Sequence, residues 1–272
     1  MTGKYELTDN TKELFGHTFH QIKALQDFGN VKKGDLGGWI ENYNNLSQLG
    51  TAWAYDHAFV FGEAQVRDNA RVLGDAQVYG GAQVYGGAQV YGDAKVYDHI
   101  LVYDNAWVYD HAQVYGDAHV YGDGQVYGYG QVYGDAHVYD HALVSGHAHV
   151  FNGARVYGDA MVYDYARIYG DARVYDYACV YGHAKVNSQA QAYDYARIYD
   201  DARIYDDARV CGDAKVGKDT RVCGDRTIQG DIDIWENDNG DDNAGGCNQG
   251  VASAFKISRK KSEGASRGAS TV

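Results

Sequence analysis

The chain has 272 residues and a formal net charge of −13, with 26 Tyr, 35 Gly and no Pro. Apolar residues make up 45%, enough for a sizeable core, and a chain lacking proline is suited to continuous backbone ladders in which every N–H is used. The four cysteines (Cys179, Cys211, Cys223, Cys247) have neither CxxC nor zinc spacing, so they point to neither a disulfide framework nor a metal site, and no run of 18 apolar residues predicts a membrane-spanning helix.

In chain order, the N-terminal MTGKYELTDN carries no apolar leader, and the protein is read as soluble and cytoplasmic. Residues 1–51 do not repeat. YELTD, HTFHQIKAL and GGWIENY predict short strands, with KKGDLGG as a glycine-rich turn. This segment is expected to be a β cap, because the open end of a stacked repeat would expose unpaired strand edges.

Residues 52–235 repeat with a period of six. An aliphatic residue recurs from Ala54, Val60 and Val66 to Val222, Ile228 and Ile234 without insertion, 31 hexads in all, with Ala192 as the weakest member. A small residue, most often Ala, stands two places before it; Ile100, Gly124, Gly130, Thr220, Arg226 and Ile232 depart. Ala-x-Val alternates as a strand does, so Ala and Val face one way and the residue between them faces the other. Two places after the Val comes Gly, Asp or Asn (Gly80, Gly86, Asp98, Asp104, Asn152), the residues that tolerate a left-handed backbone and hence a corner. Strands this short cannot bury a face alone and must stack on copies of themselves.

At the far end, Ile232, Ile234 and Trp235 are placed to plug the last coil. Residues 236–272 read as a disordered low-complexity tail. Within it ENDNGDDN fails the EF-hand pattern, and KISRKK is too short a basic run to indicate nucleic-acid binding.

A-x-V-Y-G-D resembles the hexapeptide repeat [STAV]-x-[LIV]-[GAED]-x-x of left-handed parallel β-helix proteins, and the resemblance spans residues 52–235. It implies an all-β fold: a single-stranded, left-handed triangular solenoid of about ten 18-residue coils with a small N-terminal β cap. The chain departs from that pattern in placing Tyr after the aliphatic residue. The stretch ALQDFGNVKKGDLGGWIENYNNLS resembles the leader of repeat proteins encoded in phage and prophage genomes, which carry a transferase-like label. Many relatives of the fold are acyltransferases that use CoA or acyl-carrier donors and a catalytic His between subunits of a trimer.

With 18-residue coils, residues 18 apart form outward columns. Tyr91, Tyr109 and Tyr127 share the first side, Tyr79, Tyr97, Tyr115 and Tyr133 the second, and Tyr85 through Tyr193 the third. Their presence on all sides favours structural cladding over an aromatic surface for sugars or bases. The first side also carries an apolar column, Trp53, Trp107, Leu143 and Met161, expected to mediate self-association or binding of a protein partner. The other two sides become basic toward the C-terminus, through Arg167, Lys185 and Arg203 and through Arg155, Arg173 and Arg209. Salt bridges to corner residues such as Asp159, Asp171, Asp207 and Asp213 are expected there.

His119 and His137 stack one coil apart, which makes them the candidate catalytic pair if the rod is an enzyme. In the column His111, Tyr129, His147, Tyr165, His183 the histidines are two coils apart, too far to share a metal. Residues 52–153 carry a net −9 and residues 154–235 a net −3.

The expectation is a non-catalytic scaffold or binding protein with no cofactor, no membrane association and no direct nucleic-acid binding. An acyl-CoA-dependent acyltransferase and an acidic nucleic-acid mimic are the alternatives. The uninterrupted repeat favours the first, since catalysis needs a local concavity with convergent groups.

Overall fold

The structure, a computed structural model, describes residues 3–237 and 255–259. Among these the chain is all β, and its strands form three sheets of 13, 12 and 10 strands. Each hexad contributes a rung of two or three residues, the outward residue and the Val, and steps to the next sheet at a corner. Sheet I starts at Trp53–Ala54, sheet II takes Phe59–Val60 and sheet III takes Gln65–Val66. The next rung of sheet I, Arg71–Val72, pairs in parallel with Trp53–Ala54, so the register is 18 residues per coil. This is a β-solenoid of about eleven turns.

The interior follows from Ala-x-Val. Along the rod the inward Ala and Val or Ile side chains are fully buried, from Ala58 and Val60 to Ala214 and Val216. Each Val removed from water contributes about 1.5–3 kcal/mol. The outward residues donate their N–H one coil onward, as from Gln89 to the Ala106 carbonyl (2.9 Å) and from Tyr91 to that of Val108 (3.0 Å). The Ala N–H closes the turn onto the Tyr carbonyl three residues back, as Ala112 does to Tyr109 (3.2 Å). A proline at any of these positions would delete a rung bond.

The corners use Gly and Asp for different purposes. Both sit at positive φ, as at Gly80 (66°) and Asp98 (64°). A Cβ on Gly80 would lie 2.8 Å from the Asp98 backbone nitrogen, so bare backbone suits that step. Asp adds a bond along the rod instead. Its Oδ2 accepts from the backbone N–H one coil on, in Asp98 to Gly116 (3.2 Å), Asp104 to Gly122 (3.3 Å) and Asp164 to Gly182 (3.3 Å).

The N-terminal segment is continuous with the rod. Strands β1 (Tyr5–Leu14), β2 (His17–Ala24) and β3 (Leu36–Ile40) are antiparallel neighbours, and β3 then pairs in parallel with Phe59–Val60. Ile40 aligns with Val60 and Leu46 with Val66, an offset of 20 rather than 18. The first coil therefore begins inside the segment that does not repeat, with two extra residues before Ala54. Buried Asn45 replaces a missing hexad contact: its Nδ2 donates to the carbonyls of Gly62 (2.9 Å) and Ala64 (3.0 Å). Buried Lys4 donates its Nζ to the Ala52 carbonyl (2.8 Å), and burial lowers its pKa to about 8.

At the other end Ile234 is buried as expected, while the side chain of Trp235 lies outside the described residues. The stretch read as a disordered tail is not wholly so. Phe255–Arg259 forms a strand antiparallel to Ile232–Asn237, whose outer edge would otherwise be open. Residues 238–254 and 260–272, including ENDNGDDN, lie outside the described residues.

Candidate functional surfaces

The outward tyrosines stack ring on ring along the rod. Sheet III carries an unbroken stack from Tyr85 to Tyr193, with neighbouring centroids 4.8–5.1 Å apart and planes within 7°. Sheet II runs from Phe61 through Tyr79 to Phe151 and Tyr169 in the same way. Because each face is taken by the next ring, the stacks offer edges to solvent. A sugar or base has no ring face to lie on within them, so their geometry is that of cladding.

The stack ends are closed individually. The Arg67 guanidinium lies 4.4 Å over Tyr85, and Asn187 Nδ2 donates to Tyr169 Oη at 2.6 Å. Sheet I differs: its stack runs Tyr91, Tyr109, Tyr127, then Ser145 stands in a ring position, and stacking resumes at Tyr163 and Tyr181.

Stacking has an electrostatic consequence. Burial, then the neighbouring phenols, push Tyr103, Tyr109, Tyr115 and Tyr139 up to about 12. A phenol whose pKa is raised on folding holds its proton more tightly in the folded state. The stabilisation is complete below the unfolded value of about 10 and is lost as pH rises through the folded value. The rod is therefore expected to hold its circular dichroism to about pH 10 and to unfold between pH 10 and 12, with phenolate absorbance rising in step. Phenolate absorbance saturating well before the dichroism changes would show that the stacks do not contribute.

His119 and His137 do come together, with ring centroids 4.8 Å apart and planes at 27°. Each also sets an edge against a tyrosine, His119 on Tyr103 and His137 on Tyr121. Burial lowers both pKa values, and for His137 the charges on His119 and Arg155 add to it. Two half-buried, face-stacked imidazoles favour the neutral form, and their column continues into Arg155 along a regular wall. No group of three or more His, Cys, Asp or Glu among the described residues is arranged to hold a metal. The alternating column stacks as well, from His111 through Tyr129, His147 and Tyr165 to His183 at 4.8–5.0 Å.

The basic columns correct an expectation. Among the described residues Arg155, Arg167, Arg173, Lys185, Arg203 and Arg209 form no ion pair; pairs along the rod include His57–Asp75, His111–Asp93, His141–Asp123 and Lys215–Asp233. The left-handed corner aspartates turn their carboxylates along the rod to backbone N–H groups, and Asp159, Asp171, Asp207 and Asp213 sit exposed at the following corner position. On sheet II His149, Arg167, Lys185 and Arg203 stand in consecutive rungs, and with His147, Tyr165, His183 and Asp201 they line a shallow groove of about 470 Å³. Like charges on adjacent rungs repel; Asp201, a carboxylate that lines the same groove, forms no ion pair with them.

The apolar column of sheet I is partly as expected. Trp107 and Met161 are each 38% exposed, and Leu143 between them is half-buried. Trp107 packs edge-on against Tyr91 and Tyr109 at 6.2 and 6.4 Å. Trp53 does not belong to this surface. It is 1% exposed, covered by Tyr5 at 6.0 Å and Phe28 at 5.3 Å in T-shaped contacts, because the N-terminal segment folds over the first rung. Sequence reasoning passed over Ser145; its signal was visible in ALVSGHA, where Ser replaces the recurring Tyr.

Among curated proteins, none matches the chain. A family model described as YdcK Beta solenoid repeat matches residues 112–128, 154–167, 166–182 and 196–212, all within the stacked coils. Together with the 18-residue stacking of its three sheets, the match makes this chain a β-solenoid repeat protein.

Proposed function

We propose that the chain is a non-catalytic scaffold that works by protein–protein association through sheet I. The observation that carries this reading is the pair of large apolar side chains, Trp107 and Met161, each 38% exposed on a flat wall with Leu143 between them. An outward apolar column on a rigid ladder favours a covering partner. The carboxylates flanking it stand at the corners, which places them at the rim of a contact rather than at its centre.

The test is Trp107→Glu combined with Leu143→Lys. Both side chains point outward, so the fold and its melting temperature are expected to change little. The wild-type protein is expected to scatter light as an assembly larger than the 29.9 kDa chain, and the double variant as the single chain. A wild-type monomer, or an assembly of unchanged mass in the variant, would overturn this reading.

A further inference from the structure

Sheet II carries the longest unbroken run of cations among the outward columns of the described residues. Arg167, Lys185 and Arg203 occupy consecutive rungs, His149 stands one rung before them and Arg221 one rung after. The matching column of sheet III is interrupted by Gln191 between Arg173 and Arg209. On sheet I the column passes from Arg197 and Lys215 to Asp233, which pairs with Lys215 at 3.4 Å.

Nearby carboxylates are turned away from the sheet II column. Asp164 and Asp200 accept from the backbone N–H of Gly182 (3.3 Å) and Lys218 (3.4 Å), one coil onward. Asp171 lays its Oδ1 over Gly153, 2.6 Å from where a Cβ there would stand. The corner column that holds Asp75 and Asp93 in earlier coils holds His147, Tyr165 and His183 here, and Asp201 enters only beside Arg203. Those three stacked rings wall the groove of about 470 Å³, and the cations lie along it. Burial, then the charges on Arg167 and His147, lower the pKa of His149, as a positive field does.

We propose that this groove binds a condensed phosphate chain, a linear triphosphate or longer, laid along the rod with its oxygens on Arg167, Lys185 and Arg203. The site lies on a different side from the apolar column of sheet I and does not rest on that reading.

The arrangement selects this chemistry over other anions. The cations recur in line every ~4.8 Å. A condensed phosphate is charged at every unit, so it meets each rung in any register. In an extended acidic peptide the carboxylates of one face recur every ~6.8 Å, and they fall out of step with the rungs. Single-stranded nucleic acid adds base stacking to its backbone contacts, and here the faces of Tyr165 are covered by His147 and His183. The forks of Arg167 and Arg203 suit bidentate contact with phosphoryl oxygens, and Lys185 between them supplies a point charge. The chain as a whole is acidic, at −13, so contact charges and not a long-range field must hold the anion.

The probe is tripolyphosphate, titrated calorimetrically into the full chain at low salt and neutral pH without divalent cations. One saturable site and a raised Tm are expected, with orthophosphate weaker by about tenfold or more. Lys185→Gln is expected to weaken tripolyphosphate about tenfold, and Arg167→Gln/Lys185→Gln/Arg203→Gln to abolish its binding. These side chains point outward and repel one another, so without ligand the triple variant is expected to keep or raise its Tm. Lys185→Gln alone carries the test if the triple variant loses its fold. Arg155→Gln/Arg173→Gln/Arg209→Gln, the same charge change on sheet III, is expected to bind as wild type does. Tighter binding of ATP than of tripolyphosphate would identify a nucleotide as the source of the phosphate chain. Affinity that grows with chain length would identify inorganic polyphosphate. The proposal is overturned by absence of saturable binding, by orthophosphate binding as well as tripolyphosphate, or by equal losses in the sheet II and sheet III variants. Tighter binding of a single-stranded oligothymidylate than of tripolyphosphate would also overturn it.

Discussion

Val126→Asp is expected to split the rod. Val126 is fully buried in sheet I, with Val108 and Val144 one coil to either side. The buried polar residues of the described chain, Lys4, Asn45 and Thr220, are all near the ends, so nothing at mid-rod could receive a carboxylate. An unpaired charge there costs about 4–5 kcal/mol or more. Because each coil contacts only its neighbours, the damage stays local and uncouples the halves. Urea unfolding followed by circular dichroism is expected to show two transitions in place of one, and Val126→Ala a single transition lowered by about 2 kcal/mol. Wild-type behaviour of the Asp variant would mean that this side chain is not inside.

Gly37→Val is expected to lift the N-terminal segment off the rod. A Cβ at Gly37 would lie 2.6 Å from the Ala54 carbonyl oxygen, 2.6 Å from the Trp53 ring and 2.7 Å from Ile22. None of these is the free end of a flexible chain, so β3 must move. Overpacking of this kind costs about 1–3 kcal/mol before any contact is lost. Here it also opens the edge of the first coil and uncovers Trp53. Tryptophan emission is expected to shift to the red, and limited proteolysis to remove the first forty or so residues while the rod resists. Unchanged emission and an uncut N-terminus would show that the segment accommodates the side chain.

The columns of the rod were legible because the period is unbroken: Val60, Val78 and Val96 stand one above another simply by counting. The first coil was not, since Ile40 and Leu46 pair with Val60 and Val66 at an offset that no hexad count reaches. For the same reason Trp53 passed for a surface residue, as its position in the hexad is outward and only the folded N-terminal segment covers it. The pairing of Arg and Asp was misread from the adjacency of their columns. Column position says which residues are neighbours but not which way a corner carboxylate turns, and Asp164 and Asp176 turn along the rod to Gly182 and Asp194. The stacked imidazoles of His119 and His137 were legible as a pair. So was the regular wall they lie on, while the 27° between their ring planes was not.

The corner bonds reach one coil onward, and the ladder bonds do the same. No interaction along the regular wall requires a particular total number of coils, so duplication or loss of an 18-residue unit leaves every column in line. Near-identical stretches such as AQVYGGAQVYGGAQVYGD are also where slippage during copying of a gene would insert or remove such units. The rod is thus a structure whose length is free to drift.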